Sequence, residues 1–63
     1  MSHEEITYTK KDSVSLPVAE IFRLAGVGVN QVLVLILTDE RGNEVKRNKY
    51  LRTGTQTYSK FVG

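Results

Sequence analysis

The chain contains no cysteine, so neither a disulfide nor a thiolate metal cage can reinforce its fold. Its longest aliphatic run, Val32-Leu33-Val34-Leu35-Ile36-Leu37, is far short of the roughly 20 residues that a membrane-crossing helix needs. The opening Met1-Ser2-His3-Glu4-Glu5 lacks the basic-then-apolar order of a secretory signal. A soluble, cytoplasmic protein is the expectation, with no membrane partner. Histidine occurs once, at His3, in a terminal stretch where a solvated side chain is expected rather than a base. Asp12, Asp39 and Glu40 fall in turns, whose open tips do not perturb a carboxyl group as proton transfer requires. Gly26-Val27-Gly28 has no strand before it and no helix after it, so helix termination explains it better than dinucleotide binding. No spacing of metal ligands is present. The chain is therefore not expected to be an enzyme, nor to carry a cofactor or a metal.

What is present is a small domain with an uneven charge. A chain of 63 residues buries only about 60% of the surface its unfolded form exposes and is marginal alone. Without cysteine, oligomerisation is the usual remedy. Residues 1–44 hold four basic side chains against all seven acids, a balance of −3, whereas residues 45–63 hold Lys46, Arg47, Lys49, Arg52 and Lys60 with no acid, a balance of +5. A basic block of this kind fits an anionic partner, since each cation placed near a phosphate releases condensed counterions. It also fits a solvated edge strand whose lysines deter aggregation.

Local signals give an element order. Ile6-Thr7-Tyr8-Thr9 alternates as a strand does, residues 10–13 form a turn, and Val14-Ser15-Leu16 reads as a second short strand. Pro17 suits the start of a helix. The helix is predicted over residues 17–25, with Val18, Ile21, Phe22 and Ala25 as one apolar stripe and Gly26 or Gly28 closing it. Residues 32–37 read as a strand, residues 39–44 as a hairpin loop turning on Gly42, and residues 45–51 as the return strand. The fold class expected is mainly β with one short helix, in the order β-β-α-β-β. One domain spans residues 1–51. Residues 52–63 form a tail that is ambiguous, its glycine and threonines arguing for mobility while Tyr58, Phe61 and Val62 could dock.

Side chains of a strand alternate faces, so Val32, Val34 and Ile36 oppose Leu33, Leu35 and Leu37. One short helix covers a single face, and three large aliphatics left wet would forfeit roughly 1.5–3 kcal/mol each. A homodimer whose core includes all six of these residues is the expected remedy. A monomer in which the N-terminal hairpin folds over the open face is the alternative.

The segment Thr9-Lys10-Lys11-Asp12-Ser13-Val14-Ser15-Leu16-Pro17 resembles a motif of the AbrB/SpoVT/MazE family, which runs close to Thr-Lys-Lys-Gly-Gln-Val-Thr-Ile-Pro and leads into a short helix and a hairpin. The resemblance covers about residues 4–51. Departures are Asp12 and Ser13 in the loop, the helix end Leu24-Ala25-Gly26-Val27, and Val29-Asn30 before the third strand. It implies a swapped-hairpin double-split β-barrel, an intertwined homodimer, and a nucleoid-associated regulator of transcription that binds double-stranded DNA. Carried onto this chain, the DNA contacts are Lys10, Lys11, Ser13 and Arg23; independently of the resemblance, the basic return strand offers Lys46, Lys49 and Arg52 as secondary nucleic-acid contacts. Two other readings stay open. One is a MazE-like antitoxin whose tail clamps a toxin protein; the other is a basic sheet module that binds single-stranded nucleic acid through Lys46, Lys49, Tyr50 and Arg52.

Overall fold

The computed structural model describes residues 3–61. Five elements follow one another: β1 (Glu5–Lys11), α1 (Val18–Ala25), β2 (Val32–Thr38), β3 (Glu44–Arg52) and β4 (Tyr58–Lys60). The strands form one open sheet in the order β1-β2-β3-β4, in which β1 and β2 are parallel and the other pairs antiparallel. The chain is thus mainly β with a single short helix, as expected, but the order is β-α-β-β-β.

The expected second strand at Val14-Ser15-Leu16 does not form. A parallel pair needs a crossover, and residues 12–17 begin the one that carries the chain from the end of β1 into α1. Asp12 N–H donates to Thr38 O at 3.0 Å and Val14 N–H to Lys11 O at 3.1 Å, which turns the chain off the sheet before any further pairing. The fourth strand lies instead where the tail was ambiguous. Tyr58 pairs with Arg52 and Lys60 with Tyr50, so residues 52–61 continue the same sheet.

Helix α1 starts one residue later than expected, because Pro17 keeps an extended backbone (φ −60°, ψ 144°) as the residue before the first turn. Gly26 closes the helix at φ 74°, a left-handed position where a Cβ is penalised. Gly42 takes φ 88° in the β2–β3 hairpin. There Arg41 N–H and Asn43 N–H both donate to Asp39 Oδ1 at 2.9 Å. The Asn43 bond foremost holds the Asp39 carboxyl below its ordinary range.

The apolar stripe of the helix packs on one sheet face. Ile21 and Phe22 meet Leu33, Leu35 and Val27 in a buried cluster, with Ile6, Tyr8 and Tyr50 around it. The other face carries no second layer among the described residues, yet Val32 and Val34 are 0% and 4% exposed within a single chain. The premise that this face of β2 stays wet without a second copy is therefore corrected. Long side chains from the flanking strands close over the two valines. Glu5 of β1 and Lys49 of β3 form an ion pair across β2 at 3.4 Å, and the rings of His3 and Phe61 meet edge to face at 5.8 Å. Of the six aliphatics, Leu33 and Leu35 are buried as well, and only Ile36 and Leu37 are half-buried.

Candidate nucleic-acid interface

Side chains at paired register positions share a face, so the register sorts the candidate contacts. Tyr50, Asn48 and Lys46 stand opposite Leu33, Leu35 and Leu37, on the helix-bearing face. Lys49 and Arg47 stand opposite Val34 and Ile36, on the other face. Lys46 and Lys49 therefore cannot contact one ligand on one surface, although they are three residues apart.

The proposed duplex contacts separate too. Lys10, Lys11 and Ser13 lie where β1 passes into the β1–α1 loop; Lys11 and Ser13 are exposed, while Lys10 Nζ donates to the Val14 carbonyl. Arg23 is in the last turn of α1, which runs back along the sheet away from that loop. It pairs with Glu20 at 3.4 Å and lines a groove at the opposite end. Asp12, Asp39 and Glu40 share the lysine end, since Asp12 is bonded to Thr38 at the start of the hairpin.

Arg52 is spent on the fold. Its guanidinium donates to the carbonyls of Val27, Gly54 (3.2 Å) and Thr55 (2.6 Å), which ties the helix end to the β3–β4 turn. Arg47 is held by Glu44 at 2.9 Å, a bond that raises its pKa above the ordinary value.

What remains is a surface on the helix-bearing face that the helix does not cover. The helix backbone lies close to β1, leaving β3 and β4 open beside it. Between the helix and the β3–β4 turn runs a groove of about 530 Å³, lined by Ala19, Phe22, Arg23, Arg52, Thr57 and Tyr58 among others, within the common size range of ligand clefts. Tyr58 packs on Phe22 (centroids 5.2 Å) and stands edge-on to Tyr50 (5.9 Å). It is nevertheless 43% exposed. Lys60 is exposed beside Tyr50, and Lys46 further along the same face. No acid lies between Val45 and Gly63. The strip from Lys46 to Arg52 is about 20 Å long at ~3.3 Å per strand residue.

Tyr50, a candidate for stacking on a base, instead packs against Tyr58 of the neighbouring strand. The parts missing from the sequence reading are Tyr58 and Lys60 as members of the site. The alternation Tyr58-Ser59-Lys60-Phe61 was the available signal, masked by the Gly-Thr stretch before it. Among the described residues no group of three or more His, Cys, Asp or Glu side chains is placed to hold a metal ion, and no helix is long and apolar enough to cross a membrane.

No family model, curated protein or solved structure matches this chain.

Proposed function

We propose that this protein is a nucleic-acid-binding module whose contact surface is the uncovered part of the helix-bearing face, and that its preferred ligand is single-stranded. The observation that carries this reading is the half-exposed Tyr58 ring, braced by Phe22 and Tyr50, with Lys60 and then Lys46 following it along the same face. A braced ring gives a base a rigid platform, and stacking of this kind contributes about 1–3 kcal/mol per base with little sequence preference. The two lysines along the strip supply the backbone attraction. Arg23 at the groove mouth can add a third charge.

A second reading is favoured by the exposed Lys11 and Ser13 at the β1–α1 loop. It is the duplex-binding transcriptional regulator that the AbrB-like segment implies, in which two such loops of a homodimer lie against double-stranded DNA in a swapped-hairpin assembly. A toxin clamp, by contrast, would have to release residues 58–60 from the sheet.

Fluorescence anisotropy titrations of a single-stranded DNA, an RNA and a duplex of equal length, at several salt concentrations, separate these readings. The single strands are expected to bind more tightly than the duplex. Their log affinity should fall with log salt at about −0.7 per neutralised phosphate, hence roughly −1.4 to −2 for two or three contacts. Tighter duplex binding transfers support to the second reading, and no binding at low salt contradicts both.

A further inference from the structure

We propose that two copies of this chain join along their free β1 edges, antiparallel and centred on Tyr8, to make one continuous sheet. The proposal is independent of the nucleic-acid reading.

Strand β1 is an outermost strand, so one row of its backbone groups has no partner among the described residues. In a parallel pair the N–H and C=O of alternate residues point to the same neighbour. Glu4 O accepts from Val32 N–H at 2.8 Å and Asp12 N–H donates to Thr38 O at 3.0 Å, so the even-numbered residues of β1 face β2. Glu5, Thr7, Thr9 and Lys11 therefore present their N–H and C=O groups outward. An antiparallel second copy uses all of these outward residues in one register only: Glu5 with the partner's Lys11, Thr7 with the partner's Thr9, and the same pairs reversed. That register places opposite charges together at both ends of the ladder and threonines together within it, and such cross-strand pairs stabilise a sheet. Tyr8 then meets the partner's Tyr8 on the two-fold axis.

Two further observations point to this edge. Residues 44–48 of β3 form the other long stretch of free edge, since β4 pairs only with Tyr50, Leu51 and Arg52. Antiparallel self-pairing there sets Lys46 against the partner's Lys46 and opposes like charges. The helix tells the same way. Ala19 and Phe22 line the groove on the β3–β4 side, and at 100° per residue Leu24 falls on the opposite flank, above the free edge of β1. Leu24 is 56% exposed. Pairing through β1 brings a second helix alongside that flank and gives Leu24 apolar cover.

The test is sedimentation equilibrium of the full chain without nucleic acid. The wild type is expected at twice 7.1 kDa at micromolar concentrations. In Thr7→Pro the lost N–H is an outward one, so the β1–β2 ladder is kept and the edge blocked; a monomer with an unchanged circular dichroism spectrum is expected. Should that variant fail to fold, Lys11→Glu is expected to weaken the dimer at least tenfold, and Glu5→Lys added to it to restore pairing. Tyr8→Cys supplies a positive signal. Facing residues of a non-hydrogen-bonded pair are about 4.5 Å apart at Cα, within disulfide range, so oxidation should yield a covalent dimer of this otherwise cysteine-free chain. A wild type that stays monomeric at 100-fold higher concentration overturns the proposal, as does a dimer insensitive to both the proline and the charge changes.

Discussion

Leu33→Ala should lower the free energy of unfolding by about 2–5 kcal/mol, measured by urea denaturation followed by circular dichroism. Leu33 is fully buried in the middle strand β2, in the cluster that joins the sheet to Ile21, Phe22 and Val27 of the helix and its exit. Truncation removes its transfer free energy and leaves a cavity that neighbours on a hydrogen-bonded sheet cannot collapse into. A typical domain has roughly 0.05–0.15 kcal/mol of stability per residue, which for 63 residues is about 3–9 kcal/mol. The loss is therefore a large share of the whole, and a melted or partly unfolded protein at room temperature is within the expected outcome. Val29→Ala, at a turn residue 49% exposed, should change stability by less than about 0.5 kcal/mol. Equal effects at the two positions would contradict the assigned core.

The double charge reversal Lys46→Glu plus Lys60→Glu should weaken binding of a single-stranded oligonucleotide roughly a thousandfold at low salt. A unit charge in contact with a phosphate gains about 1 kcal/mol in water, and reversing it turns that gain into an equal repulsion, so each reversal costs about 2 kcal/mol. Two give about 4 kcal/mol, or three powers of ten. Both side chains are exposed, and neither forms an ion pair among the described residues, so the fold should not respond. Lys49→Glu is the informative control. Lys49 sits on the opposite face and pairs with Glu5, so its reversal should leave the affinity within a fewfold of wild type while loosening the cover over Val32 and Val34. Reversal of Lys10 and Lys11 should also have little effect. If instead that pair abolishes binding and Lys46 with Lys60 does not, the contact surface is the β1–α1 loop.

How much of this was legible in the sequence depended on whether the determinant was local. The helix announced itself through the spacing of Val18, Ile21, Phe22 and Ala25 with Pro17 before and Gly26 after; the apolar stripe and the Gly26 stop are as expected, while Pro17 stands just outside the first turn. The run at residues 32–37 and the turn at Gly42 likewise located the central hairpin. The alternation of side chains along β3 is local too: it sets Lys46, Asn48 and Tyr50 on one face and Arg47 and Lys49 on the other, in agreement with the register. What failed was pairing between distant segments. Nothing within Val14-Ser15-Leu16 reveals that Asp12 is drawn to Thr38, which converts a strand-like triplet into the start of a crossover. Nor does β2 alone disclose that Glu5 and Lys49 reach each other over its valines. Among the candidate contacts, the role of Arg52 was hidden for the same reason. Arg52, basic and next to Tyr50 in alternation, was drawn inward by three carbonyls that only the folded turn assembles.

The proposed seat of the nucleic acid is the aromatic and basic strip over β3 and β4. Backbone amide shift mapping by NMR, with an unlabelled single-stranded oligonucleotide added at low salt, tests it most directly. The perturbed amides are expected to cluster at Lys46, Asn48, Tyr50, Tyr58 and Lys60, extending to Arg23 at the groove mouth. Perturbations confined to Lys10, Lys11 and Ser13, or to the opposite face around Thr7, Val34 and Lys49, would contradict it.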